Sequence, residues 1–175
     1  MLGASTHEGE EQALLDCLPA LEKVLPDVLL ILAPRHTHRS NQIRKQCISS
    51  GFHSCFFSYL KGFESMGRVL ILDVMGQLES YFEVAKVAFI GGSLLPIGGH
   101  NLLEAVRAGA GVVMGTHLYN VEDIAQQFID RGAMRLVRDT EELEEATMDL
   151  MLNENNYNKI EIDPTRISFC LLYTS

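Results

Sequence analysis

Val87-Ala88-Phe89-Ile90-Gly91-Gly92-Ser93 is an apolar run that ends abruptly in two glycines. A short, unbroken apolar run reads as a strand buried on both faces, as in a parallel sheet covered by helices. A loop rich in glycine and proline follows, from Leu94 to Gly99. The spacing then predicts a helix over Asn101–Gly109 and a second buried strand over Val112-Val113-Met114. Strand, loop, helix, strand is the βαβ unit, and its crossover is right-handed.

The same alternation extends in both directions. Upstream, Glu8–Val24 reads as an amphipathic helix with Ala13, Leu14, Cys17, Leu18 and Leu21 at helical spacing, and Ser5 or Thr6 is placed to cap it. Val28–Leu32 reads as a strand ended by Pro34. A helix is expected over Arg39–Ser50, strands over Phe52–Tyr59 and Val69–Leu72, and a helix over Gly76–Ala85. Downstream come a helix over Val121–Arg131, a strand over Met134–Val137 and a helix over Glu141–Leu152. The expected fold is α/β, a Rossmann-like parallel sheet with helices on both faces. Both ends read as cut. Gly3-Ala4-Ser5-Thr6 resembles the end of a strand. Residues 153–175 are an irregular tail of the kind a cloning or frameshift artefact leaves, so residues 1–152 are taken as the domain.

Composition narrows the function. The chain has 175 residues, suited to one domain, and a net charge of -9. Such an acidic chain is a poor partner for nucleic acid or an anionic membrane surface, although one cleft can still be basic. Cys17, Cys47, Cys55 and Cys170 show no metal-ligand spacing and read as thiols in a reducing compartment. No metal and no cofactor is expected. No apolar run reaches a membrane span and no signal peptide is evident, so the chain reads as cytoplasmic and, taken alone, soluble.

In an open parallel sheet, ligands bind beyond the carboxyl ends of the strands. Four unusual segments fall there: Ser5-Thr6-His7-Glu8-Gly9-Glu10, Pro34-Arg35-His36, Asp73-Val74-Met75-Gly76, and Gly91-Gly92-Ser93 with Gly98-Gly99-His100-Asn101. Gly98 and Gly99 let backbone approach a ligand. Asn101 is placed to cap the next helix, whose first amides would face an anion. Glu104 lies one turn further in. It reads either as the partner of Asn101 in a capping box or as an acceptor for a ribose diol. Arg35 is a fork donor for phosphate or carboxylate. Asn120 sits on the same edge, after the strand ending at Met114.

Taken together, Ala4–Glu11, Pro34-Arg35-His36, Met75-Gly76, Gly91–Leu94, Gly98–Asn101 and Glu104 resemble the transferases of 3-deoxy-D-manno-octulosonic acid (Kdo). The resemblance runs in order from about Ala4 to Leu152. It implies the C-terminal half of a two-domain GT-B glycosyltransferase, which binds the donor CMP-Kdo. By that resemblance Ser5, Thr6, His7, Glu8 and Arg35 line the donor cleft. Gly98, Gly99, His100 and Asn101 hold the phosphate side, Glu104 lies near the ribose, and His36, Met75, Gly76, Gly92, Ser93 and Asn120 complete the donor site. It places the catalytic base, the membrane contact and the lipid A precursor with the missing N-terminal half. The full protein is then expected at the cytoplasmic side of the bacterial inner membrane, in lipopolysaccharide biosynthesis, and the fragment alone is expected to be inactive. Three positions depart from the family pattern. Gln77 follows Gly76 where an acid is usual, Leu102 replaces a proline, and Gly115–Val121 diverges from the usual segment. Two other readings stand beside this one: a GT-B transferase or epimerase with another nucleotide-sugar donor, and a non-catalytic α/β binding domain.

Overall fold

The computed structural model describes residues 1–60 and 67–153. In chain order the elements are β1 (Leu2–Thr6), α1 (Glu10–Val24), β2 (Leu30–Pro34), α2 (Ser40–Ser49), β3 (Ser54–Phe56), β4 (Val69–Ile71), α3 (Leu78–Val84), β5 (Val87–Ile90), α4 (Leu103–Arg107), β6 (Gly111–Gly115), α5 (Glu122–Ile129), β7 (Met134–Val137) and α6 (Thr140–Leu152). The strands form one seven-stranded sheet in the order β3-β4-β2-β1-β5-β6-β7, and all six pairings are parallel. The irregular tail expected over 153–175 lies outside the described residues, save Asn153.

Alternation along each strand feeds two separate cores. Leu30, Leu32, Val69, Ile71, Val87 and Phe89 point to one face, where they meet Leu14, Leu18 and Leu21 of α1, Ile43 of α2 and Leu143 of α6. Leu2, Ala4, Ile31, Leu70, Ala88 and Ile90 point to the other, against Phe82 of α3, Leu103 of α4 and Phe128 of α5. Helices therefore cover both faces, as the apolar runs predict. Each fully buried Leu, Ile or Phe contributes about 1.5–3 kcal/mol, so these strands hold the sheet rigid beneath its loops.

Several boundaries differ from expectation. The strand expected over 28–32 runs from Leu30 to Pro34. Pro34 has no N–H, but it occupies the last rung, and the Arg35 N–H then donates to the Thr6 carbonyl at 3.0 Å. The run 52–59 is a strand only over Ser54–Phe56 and continues as a 3₁₀ turn over Phe57–Tyr59. Neither Ser5 nor Thr6 caps α1. The position before the helix is Gly9, at φ +101°, and the Thr6 hydroxyl donates instead to Glu11. The helices α3 and α4 each begin two residues later than the glycine and asparagine signals suggest.

The strand order places the site. From β1 the chain moves to β2 on one side, while β5 pairs with the other side of β1. The chain reverses direction across the sheet at β1/β5, and the loops beyond those strands diverge to leave a crevice.

Candidate functional site

The crevice begins where the ends of β1 and β5 meet. Ser5 adopts φ +53°, an uncommon value outside glycine, and the β1–β2 register slips between Ala4 and Thr6. A Cβ on Gly91 would collide with the Ser5 carbonyl and come within 2.7 Å of the Thr6 Cα. Only glycine allows this approach. Strained backbone of this kind costs on the order of 1–3 kcal/mol and persists where surrounding contacts over-determine it.

Glu10 supplies those contacts. It is buried at the start of α1, and its carboxylate accepts four backbone N–H bonds. Oε2 accepts from His7 at 2.9 Å and Gly92 at 2.8 Å. Oε1 accepts from Ser93 at 3.0 Å and Leu94 at 3.1 Å. One side chain thus pins the loop after β1 to the loop after β5. Beside it Glu11, also buried, accepts the Thr6 hydroxyl at 2.9 Å and both terminal nitrogens of Arg39 at 2.7 and 3.2 Å. The fork geometry ties α2 to α1, and breaking such a buried pair costs about 3–5 kcal/mol.

Four histidines gather over this floor. The Nε2 atoms of His7 and His100 lie 2.7 Å apart, with the ring centroids 5.0 Å apart and the ring planes within 10° of parallel. His36 meets His7 edge-on at 6.2 Å and stacks on His38 at 5.6 Å. Burial holds the His7 imidazole below its usual range. Glu10 and Glu11 oppose that shift, while His36 and Arg39 reinforce it. Burial also lowers His100, and His7, Arg35 and His36 add to the effect.

Next to the histidines, Ser5, Arg35, Met75 and Gly76 line a common cavity of about 90 Å³ at the ends of β1, β2 and β4. The Arg35 side chain is exposed and has no hydrogen-bond partner among the described residues. Met75 is 71% exposed. A flexible apolar side chain and an unpaired guanidinium at one strand edge suit a ligand with a hydrophobic face and an anionic group.

The loop after β5 is clamped from β6. Asn120 donates from Nδ2 to the Ile97 carbonyl at 3.0 Å, and the Tyr119 hydroxyl donates to Pro96 at 2.6 Å. Gly98 sits at φ +109° beneath them, where any side chain would strike Asn120 and Tyr119. The loop also folds on itself. The Gly99 N–H donates to Gly92, and that of His100 to Gly91. Asn101 Oδ1 accepts from the Leu103 N–H at 3.0 Å, a local turn just ahead of the helix; the N-cap expected at Asn101 falls instead on Leu102, which has no side-chain cap. Glu104 is exposed, and its carboxylate returns no bond to Asn101 and has no hydrogen-bond partner among the described residues. The amides of Asn101, Leu102 and Glu104 are likewise without partners among the described residues.

The site residues named from sequence therefore divide. Ser5, His7, Arg35, His36, Met75, Gly76, Gly92 and His100 converge at the crevice. Gly98, Gly99, Asn101 and Asn120 shape one wall, and Glu104 stands on the first turn of α4. Three side chains are engaged elsewhere. Thr6 is spent on Glu11. Glu8 accepts from Gln42 at 3.0 Å. The buried Ser93 hydroxyl donates to Ile90 at 2.5 Å and accepts from Gly115 at 2.8 Å, joining β5 to β6. The Gly92–Leu94 amides are filled by Glu10 rather than open to an anion. Sequence reasoning passed over Glu10 and Glu11 as site-shaping groups. The signal was an acidic pair in the first helical turn after the glycine at the switch point, where the dipole favours carboxylates. Among the described residues, no group of three or more His, Cys, Asp or Glu converges as a metal site. No described helix is long and apolar enough to cross a membrane.

Comparisons with known proteins place this arrangement. No protein-family model matches the chain. It is 31% identical over 172 residues to the 3-deoxy-D-manno-octulosonic acid transferase of Aquifex aeolicus, covering 98% of this chain and 47% of that protein. It is 34% identical over 139 residues to the enzyme of the same name from Bordetella pertussis, covering 74% of this chain and 31% of that one. The chain thus spans about half or less of the length of these curated relatives. Among solved structures, the C-terminal CMP-Kdo binding domain of WaaA from Acinetobacter baumannii superposes with a TM-score of 0.73 at 27% identity, covering 87% of this chain and 88% of that one. In sequence along almost its whole length, and in fold, this chain belongs to the family of the 3-deoxy-D-manno-octulosonic acid transferases and matches their C-terminal domain.

Proposed function

We propose that this chain is the donor-binding part of a glycosyltransferase that moves Kdo from CMP-Kdo to a lipid A precursor. Residues 1–152 form the donor domain. The observation that carries this reading is the gathering of Arg35, His7, His36 and His100 at the β1/β5 crevice of a chain whose net charge is -9. Cationic and imidazole donors concentrated at one point of an acidic protein focus an anionic ligand there.

In the proposed reaction, a sugar hydroxyl of the acceptor attacks the anomeric carbon of Kdo through an oxocarbenium-like state, and CMP leaves. Negative charge develops on the CMP phosphate. Arg35 and the unpartnered amides of Asn101 and Leu102 stabilise it in place, without reorganisation at the moment of bond cleavage. Glu104, on the first turn of α4 with a carboxylate that has no partner among the described residues, holds the ribose diol. The base that activates the acceptor and the surface that meets the membrane come from parts of the protein outside this chain, which work at the cytoplasmic face of the inner membrane. The chain alone binds CMP and does not turn over.

Thermal melting with CMP and with UDP tests the reading. A ligand that binds only the folded state raises the melting temperature in proportion to its concentration and affinity. CMP is expected to give the larger shift. A larger shift with UDP would assign the fold to another nucleotide-sugar donor. No shift with either would leave a non-catalytic binding domain.

A further inference from the structure

Resting on the donor-binding reading, we propose that His7 and His100 act as one proton-accepting unit that takes up a single proton when an anionic group of the donor binds.

The geometry requires the two rings to be considered together. An Nε2–Nε2 separation of 2.7 Å is a hydrogen bond, so one Nε2 carries the hydrogen and the other accepts it. In the neutral pair the donor ring keeps a bare lone pair on Nδ1, and the acceptor ring keeps an N–H on its Nδ1. Neither Nδ1 has a hydrogen-bond partner among the described residues. The pair therefore offers an incoming anion one donor and one repelling lone pair. A proton from solvent, added at that bare Nδ1, turns the second nitrogen into a donor and leaves the shared bond intact. A second added proton would need a hydrogen on both Nε2 atoms and would break the contact. One proton is thus the capacity of the closed pair.

The surroundings withhold that proton until an anion arrives. On the β1 side, Glu10 and Glu11 are the carboxylates that act on His7, and both are already occupied, as is the adjacent Glu8 by Gln42. Glu10 holds four amides, and Glu11 holds Arg39 and Thr6. His36 and Arg39 also act on His7, and Arg35 and His36 act on His100. These groups join burial in favouring neutral rings. An anion in the crevice reverses the sign of the local field and favours the charged form. The two rings then titrate as a unit. The placement is rigid. The His7 N–H is fixed on Glu10 and the His100 N–H on Gly91, and Gly92 clears the space 3.1 Å from the His100 ring that a side chain would fill.

The test is calorimetric titration of the chain in buffers of different ionisation enthalpy, from pH 6.5 to 7.5. CMP itself is unsuitable because its phosphate titrates near pH 6. The probes are cytidine 5′-O-methyl phosphate, whose charge is fixed, and a non-hydrolysable CMP–sugar-acid analogue that adds a carboxylate. Net uptake is expected to approach one proton per ligand, with affinity falling by up to about tenfold per pH unit, the limit for one linked proton. Uptake with both probes assigns the proton to the phosphate. Uptake only with the second assigns it to the carboxylate. His7→Gln and His100→Gln should each abolish uptake, whereas His53→Gln, on a distant exposed loop, should retain it. The ¹⁵N signals of the wild-type imidazoles give a readout without substitution: one ring nitrogen should pass from acceptor to protonated on ligand addition. Binding without proton uptake, or uptake that survives in either variant, overturns the proposal and leaves the donor reading standing. No binding of either probe overturns both.

Discussion

Replacing Glu10 by glutamine changes two atoms at the point where the loops after β1 and β5 are pinned together. The carboxylate presents two oxygens, each accepting two backbone N–H bonds. Glutamine has one oxygen. With that oxygen on Ser93 and Leu94, its NH₂ faces the N–H groups of His7 and Gly92, donor against donor. Two hydrogen bonds to a charged acceptor are lost, each worth about 1.5–3 kcal/mol, so the total is roughly 3–6 kcal/mol. For a chain of this size each kcal/mol lowers the melting temperature by about 2–4 °C, which gives a drop of roughly 6 °C or more. Far-UV circular dichroism melting at neutral pH measures it. Glu10→Ala, which removes all four acceptors, should fall further. The same chemical change at exposed Glu104 should stay within about 0.5 kcal/mol of wild type. A Glu10→Gln chain that melts within about 2 °C of wild type, less than one such bond would cost, would refute the clamp.

Arg35→Ala should weaken CMP-Kdo binding by about 1.5–3 kcal/mol, the range for a charge-assisted hydrogen bond, with little change in melting temperature because the side chain is exposed. Unchanged affinity with lost stability would make Arg35 structural. Glu104→Gln should cost roughly 1–2 kcal/mol of CMP affinity, about tenfold, yet leave binding of a 2′,3′-dideoxycytidine nucleotide unaltered. Equal losses for both ligands would remove the diol role. His7 and His100 are held below the ordinary imidazole value, so their contribution to stability is complete above pH ~6.5 and is lost as pH falls from there through their folded values. Melting temperature should fall between pH 7 and 5.5, and less steeply in the His7→Gln/His100→Gln chain. Equal slopes would place the titration elsewhere.

The sheet was legible because its evidence is local. The central strands Leu30–Pro34, Val87–Ile90 and Gly111–Gly115 are short apolar runs stopped by proline or glycine, and burial on both faces forces that composition wherever the strand lies. The same logic pointed to the edge proposed for the ligand, since the glycine-rich and charged segments all follow strands. Boundaries were less legible. Gly76 and Asn101 mark turns, and the helices after them start only where the chain has cleared the crevice.

What the sequence by itself determined is the α/β alternation, the edge that carries the candidate site and the family. Tertiary structure alone decided which polar groups remain available there. Thr6, Glu8 and Ser93 stand in the motifs beside His7 and Arg35, but their side chains are committed to Glu11, Gln42, Ile90 and Gly115. Glu10 reads as one acid of a helical first turn until β5 is set beside β1, and then it fills the amide nest of Gly92–Leu94. His7 and His100 lie 93 positions apart, and no spacing rule joins them. Their contact exists because strand pairing brings two loop ends within hydrogen-bonding distance. A local pattern records which face of an element is buried, whereas a polar partner depends on which distant segment the sheet places opposite it.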